Sequence, residues 1–413
     1  MRRARICCLD LDTFFVSVER LLDPSLIGKA VVVGGKKGGR GVVTSASYEA
    51  RAFGVRSGIS IRDATALAPH AIFVPGNHEH YGDYSRRARE IVERYSPIVI
   101  AASIDEQYID LHGCESLHRK PEDADDDATI LRTVREMTKA IADELGLPSS
   151  AGIATSKSTA KVACTLAKPA GVMLVTPGTE EATLAPLPVR KLPGIGPVSE
   201  EKLRDVGILT LADFVRAPDS LLRPIFGAYT SGLRRDAQGL GESDLGRERP
   251  AFREHDPHGG YIGSISNERT FVETSQRKTE SILCGLCERV CARARSRGVR
   301  AGCVTLRMRY VDFHTITRSK TISPTSVDVD VHRAILGLYR RHRTRKLAVR
   351  LVGVALSKLS LEEPQLVLPR FDGGDRRGQT VDAVREKFGY DAVHFATTLE
   401  RRDVSDTRKP TRR

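Results

Sequence analysis

The feature that most restricts the fold of this chain is an apolar run over residues 4–10 that ends in a carboxylate, Asp10. A short apolar run of this kind is typical of a buried strand, and helical periodicity follows it to Leu22. We therefore predict a strand over residues 4–10 and a helix over residues 13–22 that is capped by Asp12. This order leaves the carboxylate of Asp10 at the end of a strand.

A second acidic site interrupts two short apolar runs within residues 98–111. The interruption predicts a β-hairpin with Asp105 and Glu106 at its bend. Farther along, apolar residues recur at helical spacing over residues 130–145, behind an acidic stretch at residues 122–127. Acidic residues are favourable at the N-terminus of a helix, so we assign this stretch no catalytic role.

Acidic side chains from these separate segments can form one metal site. Asp10, Asp105 and Glu106 supply carboxylate oxygens, and the backbone carbonyl of Leu11 is a further ligand. Oxygen ligands suit Mg²⁺, and carboxylates shared between two ions about 4 Å apart suit nucleotidyl transfer. A single strand-end Asp is more often a helix cap, which is our interpretation of Asp12, but three converging acids favour metal. We predict two Mg²⁺ ions, with Mn²⁺ as an acceptable substitute.

Length and local pattern indicate an α+β protein of several domains. A chain of 413 residues exceeds the size of an ordinary single core. Prolines within residues 177–193 mark a boundary, after which residues 192–197 join two short helical patterns. Strand patterns mixed with basic helices follow over residues 252–360 and give way to a polar tail.

The charge balance narrows the class of partner. Lys and Arg total 65 against 52 Asp and Glu, and the net charge of +13 favours a polyanion such as nucleic acid. A ribosome or an anionic membrane surface would fit this charge equally. The apolar runs are too short to span a membrane, and eight cysteines are too sparse for a disulfide scaffold. These features predict a cytoplasmic protein with no membrane partner.

Several other groups have ordinary interpretations. Cys284, Cys287 and Cys291 have a spacing that a metal site could use, but the same spacing traces one face of a helix, so we favour buried core residues. His78 and His80 have no third ligand beside them in a turn-like stretch and are expected at the surface. A Gly- and Lys-rich loop lacks the Gly-Lys-Ser/Thr ending of a P-loop, so we assign no ATPase site.

Five sequence motifs resemble, in their order and spacing, those of the Y-family translesion DNA polymerases, and the bacterial members are the most similar. The motifs lie in residues 8–19, 46–55, 103–106, 152–169 and 192–197. Five such motifs in succession make coincidence implausible, and the resemblance covers roughly residues 5–400. It implies template-directed, error-prone DNA synthesis across lesions, by two-metal nucleotidyl transfer, during DNA repair and damage tolerance.

The resemblance also implies a fold, an α+β right-hand polymerase with an additional domain. The expected parts are a palm (1–12 and 80–175), small fingers (13–79), a helical thumb with a helix-hairpin-helix (176–245), an α/β little finger (250–360) and a tail (361–413). We expect a monomer.

By motif match, Tyr48, Arg51 and Lys161 would hold the incoming deoxynucleoside triphosphate. The chemistry is suitable because cations and a hydroxyl can neutralise the charge that builds on its phosphates. Phe15 matches the bulky residue beneath the sugar, a steric gate whose ring would collide with a ribose 2′-hydroxyl. Phe14 belongs to the same nucleotide-binding helix, and we interpret it as a packing residue.

Two features would hold primer-template DNA. Gly194 and Gly196 leave backbone N–H groups of the hairpin accessible to phosphate, although an ordinary helix–helix turn is the alternative. Arg295, Arg307 and Arg309 belong to the most basic part of the chain, which predicts a steep salt dependence of DNA binding.

A short segment after the last predicted strand is similar to the peptide with which bacterial polymerases bind the sliding clamp. Its candidate anchors are Gln365, Leu368 and Phe371, and Pro369 and Arg370 separate the last two. A plain linker with a few apolar residues is the alternative interpretation.

Three other functions are compatible with parts of the sequence. A non-catalytic scaffold of the same fold would lack the palm carboxylates, and a basic DNA-binding repair protein would need no Tyr48, Arg51 and Lys161. A replicative polymerase needs a longer fingers segment than lies between Asp12 and His80. The sequence favours a catalytic polymerase with a small fingers domain and low fidelity.

Overall fold

The computed structural model describes residues 4–245, 263–271, 276–361 and 373–394. The chain divides into two units, Met1–Glu248 and Arg249–Arg413. Within the described ranges, no helix is long and apolar enough to cross a membrane.

The first unit alternates short strands with helices. Its strands are β1 (Ile6–Leu11), β2 (Val31–Val33), β3 (Ser45–Ala46), β4 (Ile72–Val74), β5 (Val99–Ala101), β6 (Glu106–Asp110), β7 (Ser149–Ala154) and β8 (Val172–Leu174). Its helices are α1 (Phe14–Leu22), α2 (Tyr48–Ala52), α3 (Ile61–Leu67), α4 (His78–Val92), α5 (Cys114–His118), α6 (Asp126–Leu145), α7 (Lys157–Ala167), α8 (Glu180–Leu184), α9 (Pro197–Asp205), α10 (Leu211–Arg216), α11 (Asp219–Phe226) and α12 (Thr230–Ala237). A five-stranded sheet has the order β5-β6-β1-β7-β8, and a three-stranded sheet has the order β3-β2-β4.

Strand β1 is the centre of the five-stranded sheet and is covered on both faces. It pairs with β6 and with β7 in antiparallel ladders. Leu9 and Leu11 belong to the core cluster that contains residues of α4 and α6, whereas Ile6 and Cys8 pack with residues of α7. Burial on both faces explains why the sequence of β1 is a continuous apolar run. The predicted strand and the predicted hairpin are both confirmed.

Helix α7 approaches the sheet very closely at Gly152. A Cβ atom added to Gly152 would lie 2.0 Å from the amide nitrogen of Cys164 and 2.2 Å from the carbonyl oxygen of Ala160. Only glycine therefore fits beneath this helix. The close approach lets lysines from α7 and from the residue after it reach the strand ends that carry the acidic residues.

Helix α6 confirms the helix predicted from the apolar spacing. The side chains on its predicted face are all buried: Ile130, Val134, Met137, Ile141 and Leu145. The acidic residues before it are structural, since Asp125 caps the helix by accepting a hydrogen bond from the Ala128 amide at 2.8 Å. Asp123 pairs with Arg132 at 2.7 Å.

The predicted helix cap at Asp12 is wrong. Helix α1 begins at Phe14, and Thr13 occupies the N-cap position with a φ of 44° and no side-chain cap hydrogen bond. The Asp12 carboxylate is buried and hydrogen-bonds toward Ser150 and the Ala170 amide instead. These bonds turn the side chain away from the first turn of α1.

The second unit is built on one antiparallel sheet in the order β11-β10-β12-β9. Its strands are β9 (Ser264–Thr270), β10 (Val299–Tyr310), β11 (Thr315–Thr325) and β12 (Val349–Leu361), and its helices are α13 (Gln276–Arg295), α14 (Asp328–His342) and α15 (Gly373–Phe388). Val290 of α13 and Ile335 of α14 share a core with alternate residues of β10. Cys287 and Cys291 belong to this core and Cys284 is also buried, which confirms the predicted burial of the three thiols.

Arg295 has a structural role in place of the predicted DNA contact. Its side chain is 7% exposed and pairs with Asp328 at 2.8 Å and with Asp382 at 2.6 Å. It also donates a hydrogen bond to the carbonyl oxygen of Ser326. Arg295 therefore ties α13 to α14 and to α15, a helix that lies within the segment predicted as a polar tail, and its buried charge is not available to phosphate.

We expect Arg295→Ala to lower the free energy of unfolding by about 3–5 kcal/mol, because Asp328 and Asp382 would lose their counter-charge. Chemical denaturation of the full chain measures this change. Arg333→Ala is the matched control, since that side chain is 76% exposed and its loss should change stability by less than about 0.5 kcal/mol. Unchanged stability together with weakened DNA binding in Arg295→Ala would restore the predicted DNA contact.

Candidate active site

The register of β1 against β6 brings the predicted acidic residues to one end of the sheet. Asp10 lies directly across from Glu106, and the Leu11 amide donates a hydrogen bond to the carbonyl oxygen of Asp105 at 2.9 Å. Because side chains alternate along a strand, Asp10 projects from the same face as Cys8, toward α7, and so does its cross-strand partner. Antiparallel pairing therefore assembles carboxylates from two distant segments of the chain.

Two lysines neutralise these carboxylates. The Lys161 ammonium lies 2.6 Å from Oε2 of Glu106, and the Lys168 ammonium hydrogen-bonds Oδ1 of Asp10. In the part of the chain that the structure describes, no three His, Cys, Asp or Glu side chains are grouped so as to hold a metal as they stand. The ammonium groups instead pair with the carboxylate oxygens that a metal would use as ligands.

Asp12 is a further carboxylate at this site. Its side chain is 1% exposed, and its Oδ2 accepts hydrogen bonds from Ser150 Oγ and from the Ala170 amide, each at 2.7 Å. Its Oδ1 has no hydrogen-bond partner and lies 3.4 Å from Nζ of Lys168. Lys168 thus lies between two carboxylates but hydrogen-bonds the one of Asp10. The acidic cluster consists of Asp10, Asp12, Asp105 and Glu106.

Burial and neighbouring charges set the protonation of the Asp10–Lys168 pair. Burial raises the pKa of Asp10; Lys168 opposes this rise, and Asp105 and Asp12 add to it. Burial acts to lower the pKa of Lys168, but its pairing with Asp10 outweighs burial and raises that pKa. The site therefore favours bound cations and penalises an unpaired carboxylate at Asp10.

The residues predicted to bind the triphosphate come from α2 and α7. Ser47 caps α2 and fixes the start of that helix at Tyr48, and the Arg51 guanidinium lies 5.2 Å from the centre of the Tyr48 ring. Burial raises the pKa of Tyr48, and Asp12 adds to the rise, so the phenol lies near the acidic cluster. Tyr48 and Lys161 are thus both close to the acidic cluster, and Arg51 packs on Tyr48.

Phe15 is half-buried, and aromatic neighbours fix its ring. It stacks on Tyr81 with ring centroids 4.2 Å apart and planes 14° apart, and His78 meets it edge-on at 5.8 Å. The Tyr81 hydroxyl donates a hydrogen bond to Glu19. The pKa of Tyr81 is raised, mainly by burial and to a smaller extent by this hydrogen bond. Phe14 is 3% exposed, which confirms its predicted packing role.

The residues predicted to contact DNA lie on both units. Gly194 has a φ of 96°, which glycine adopts without strain, and Gly196 is the N-cap of α9 with open space at its Cβ position. Arg307 and Arg309 alternate with buried residues of β10 and therefore lie on the outer face of its sheet. Arg307 is 43% exposed and pairs with Glu268 at 2.9 Å.

The two histidines and the candidate clamp anchors lie away from the acidic cluster in the sequence. His78 and His80 are exposed as predicted, although they lie in the first turn of α4 and not in a turn between elements. The candidate clamp anchors Gln365, Leu368 and Phe371 lie outside the described residues.

Sequence patterns did not identify Lys168 or Tyr81 as site residues, and they did not predict that Asp12 joins the acidic cluster. For Asp12 a signal was available, because its spacing of two residues from Asp10 places both side chains on one side of an extended chain. Lys168 lies in a motif noted for its resemblance, but only the packing of α7 on the sheet shows which carboxylates it meets.

The donor set of this site fits a hard divalent cation. Asp10 and Glu106 present carboxylate oxygens that here face ammonium groups, and Oδ1 of Asp12 is a buried acceptor without a hydrogen-bond partner. Carboxylate and carbonyl oxygens are the ligands that Mg²⁺ and similar ions take in proteins. These residues therefore suit a hard divalent cation, which would take the place of the ammonium groups at the carboxylate oxygens.

Comparison with known protein families gives matches along most of the chain. Residues 9–165 match the impB/mucB/samB family, residues 177–208 match the IMS family HHH motif, and residues 263–368 match the impB/mucB/samB family C-terminal domain. A curated DNA polymerase IV of Dehalococcoides mccartyi is 36% identical over 97% of this chain and 99% of its own. The DNA polymerase IV of Streptomyces coelicolor is 38% identical over 85% of this chain and 70% of its own.

Solved structures with a similar fold cover most of the chain. A Y-family DNA polymerase chimera aligns with a TM-score of 0.71 and 24% identity over 86% of this chain and 99% of its own. DinB from Sulfolobus solfataricus aligns with a TM-score of 0.57 and 25% identity over 86% of this chain and 98% of its own. These alignments extend the similarity from sequence to fold.

We expect the thermal midpoint of metal-free Asp10→Asn to fall less than that of the parent as the pH rises from acid to neutral. The folded chain raises the pKa of Asp10, so between the unfolded and folded pKa values it binds a proton more tightly than the unfolded chain does. The stability linked to this group is therefore present below the unfolded pKa and is lost as the pH rises through the folded pKa. A neutral amide escapes this loss.

Thermal melts of both proteins across the acid-to-neutral range measure the difference. Asp205→Asn, at an exposed position of α9, is the matched control and should leave the midpoint unchanged. A difference between the two midpoints that stays constant, or that shifts in favour of the parent as the pH rises, would show that the Lys168 pairing, and not burial, dominates at this carboxylate.

Proposed function

Because the chain belongs to the impB/mucB/samB family, the Y family of DNA polymerases, we propose that it extends primers past lesions by error-prone, two-metal nucleotidyl transfer. It is a DNA-directed DNA polymerase whose substrates are DNA and nucleotides, and its role is in translesion synthesis. The observation that carries the mechanism is the cross-strand pairing of Asp10 with Glu106, each facing an ammonium group. Two lysine ammonium groups already balance the charge of these carboxylates, and a metal ion would balance it in the same way.

Its fold is the α+β right-hand polymerase with a helix-hairpin-helix and a little-finger domain that the sequence predicted. The domain limits given above stay a prediction. Low fidelity follows from a small fingers domain, because such a domain cannot clamp the nascent base pair tightly enough to reject a poor fit.

Members of this family depend on divalent metal, and the oxygen-only donor set favours Mg²⁺ over softer ions. Asp10, Asp105, Glu106 and the Leu11 carbonyl are the proposed ligands of two ions. When bound, the ions supply positive charge that favours loss of the primer 3′ proton and neutralises the pyrophosphate leaving group. The carboxylates hold that charge at the end of β1, a strand that pairs with a neighbour on each side.

Tyr48, Arg51 and Lys161 bind the triphosphate in this proposal. The phenol and the two cations can donate hydrogen bonds to the phosphate oxygens, and charge-assisted bonds of this kind are the strong ones. Lys161 pairs with Glu106 in the structure, so its ammonium becomes available when that carboxylate takes a metal ligand role. Nucleotide and metal binding are therefore coupled through Lys161.

Phe15 acts as the steric gate against ribonucleotides. Its ring is held by the stack on Tyr81, which in turn is anchored by the hydrogen bond to Glu19. A ring held in this way cannot move aside for a 2′-hydroxyl without losing its stack on Tyr81. Sugar selection thus depends on the packing behind the gate as well as on Phe15 itself.

Contacts with DNA and the clamp complete the proposal. The hairpin amides at Gly194 and Gly196 bind phosphate, and Arg307 and Arg309 bind the backbone from the outer face of the little-finger sheet. Sliding-clamp binding through the segment around Gln365 rests on the sequence resemblance alone, as does a monomeric state. A cytoplasmic location rests on the short apolar runs and the sparse cysteines.

We expect the full chain to extend a primer on a templated duplex with Mg²⁺ and the four deoxynucleotides, and an Asp105→Ala, Glu106→Ala double variant to lose this activity by at least about 10³-fold. The loss follows from removing two of the three carboxylates that hold the metal charge. Gel-resolved primer extension measures it, with melting and DNA binding as checks that the variant is folded. A folded, DNA-binding parent that extends nothing would instead support the non-catalytic scaffold.

We expect Phe15→Ala to raise the ratio of ribonucleotide to deoxynucleotide incorporation by about 10²-fold or more, because removing the ring removes a steric clash worth a few kcal/mol. Single-nucleotide insertion with matched ATP and dATP measures the ratio. Phe388→Ala, at an exposed position of the second unit, is the control and should leave the ratio unchanged. An unaltered ratio in Phe15→Ala would place the gate at another residue.

A further inference from the structure

A row of paired residues crosses the outer face of the sheet in the second unit. Arg307 of β10 lies opposite Gly353 of β12, and Gly353 lies opposite Glu268 of β9. Strands β9 and β10 are not neighbours, yet Nη1 of Arg307 lies 2.9 Å from Oε1 and 3.2 Å from Oε2 of Glu268. The two charged side chains therefore meet across the strand that separates them.

Gly353 leaves the space that this contact uses. A Cβ atom added to Gly353 would lie 2.6 Å from Cγ and 3.1 Å from Cδ of Glu268. Any other residue would push the Glu268 side chain off the surface of β12, whereas glycine lets it lie flat across the strand. The ion pair therefore depends on the glycine of β12 as well as on its two charged residues.

Glu268 differs in charge from the groups around it. Thr305 and Ser319 share a hydroxyl contact of 2.8 Å on this face, and Nε of Arg309 donates a hydrogen bond to the Thr315 hydroxyl. In the described part of the sheet, Glu268 is the only acidic residue among the paired residues of the outer face. Hydroxyl and guanidinium groups bind phosphate oxygens, whereas a carboxylate repels them. An acid at this position therefore opposes the binding of a polyanion.

We propose that Glu268 competes with DNA phosphate for Arg307 and so limits how tightly this face holds DNA. The inference rests on the proposed function, because it requires that Arg307 contact the DNA backbone. Without DNA, the carboxylate takes Nη1 of Arg307. A phosphate must then displace that carboxylate or bind the rest of the guanidinium beside a like charge. In both cases part of the favourable charge interaction with DNA is lost.

The exposure of the pair allows this competition. The side chains of Arg307 and Glu268 are 43% and 35% exposed, whereas the side chain of Arg295 is 7% exposed. An ion pair in contact with water contributes little to stability, so it can open while the sheet stays folded. The pair is therefore suited to weaken a phosphate contact and not to hold the fold together.

Glu268→Gln tests the inference, because it keeps the shape of the side chain and removes its charge. We expect the full chain with this change to bind primer-template DNA about threefold more tightly at low salt. Each phosphate that a protein neutralises adds about 0.9 to the slope of log affinity against log salt, so the slope should steepen by up to about this amount. Fluorescence anisotropy of a labelled primer-template duplex across a salt series measures both quantities.

Gly353→Ala disturbs the same pair without changing any charge. Its Cβ would displace the Glu268 side chain from Arg307 but leave the carboxylate on the face, so the gain in affinity should have the same sign and be smaller. Asp330→Asn is the matched control, because Asp330 pairs with the exposed Arg333 on α14, a helix that packs on the opposite face of the sheet. The control should leave affinity and salt slope unchanged.

An Arg307→Gln background shows whether the gain acts through the guanidinium. Glu268→Gln should lose most of its effect there, since no guanidinium is left to release. A gain of the same size in that background overturns the inference, because it would show a general loss of repulsion. Unchanged or weaker binding by Glu268→Gln in the parent background also overturns it, and weaker binding shows that Glu268 orients Arg307 for phosphate.

Arg307→Gln alone separates this inference from the proposed DNA contact. If this variant matches the parent in affinity and salt slope, Arg307 does not contact phosphate, and the proposed contact and the competition fall together. If it binds DNA more weakly while Glu268→Gln gives no gain, the contact stands and only the competition is wrong. Thermal melting of each variant shows that it is folded before DNA is added.

Discussion

The two antiparallel ladders of β1 are the constraint on which the first unit depends. They fix Asp10 opposite Glu106 on one side and opposite Ser150 on the other, and they do so through backbone hydrogen bonds that do not depend on the side chains. The same alternation that sends Leu9 and Leu11 into one core sends Cys8 and Asp10 toward α7. The arrangement of the acidic cluster is therefore a consequence of sheet register, and a slip of one residue would turn Asp10 to the opposite face.

Helix α7 supplies the positive side of the site, and Gly152 decides how close it can come. Because a Cβ at that position would overlap the helix backbone, the helix sits lower on the sheet than side chains would otherwise allow. Lys161 and Lys168 then reach carboxylates across the sheet. Burial of the acidic cluster is unfavourable in the folded chain, as the raised pKa of Asp10 shows, and the two lysines offset part of this cost. The oxygens that these lysines pair with are the ones we propose as metal ligands.

The second unit shows why charge alone is a poor guide to a binding surface. Arg295 and Arg307 look alike in a basic sequence, yet one is buried between two aspartates and the other lies on an outer sheet face. Position on an element decides the difference, since Arg307 alternates with core residues of β10 whereas Arg295 ends a helix that two others cover. A count of basic residues predicts that the partner is negatively charged, but it does not predict which residues contact that partner.

Sequence by itself determined the α+β class, the buried strand, the acidic hairpin, the core face of α6 and the family. Each of these depends on local periodicity or on contiguous motifs, which a sequence shows directly. It also placed Cys287 in a core and Phe14 in packing. Tertiary structure alone decided that Asp12 is a buried partner of Ser150 and not a helix cap, that Arg295 is an ion-pair centre and that Lys168 stands between two carboxylates. The physical reason is that these contacts join residues far apart in the chain, through the pairing of β1 with β7 and the packing of α7 and α15, and no local pattern encodes which distant group a side chain will meet.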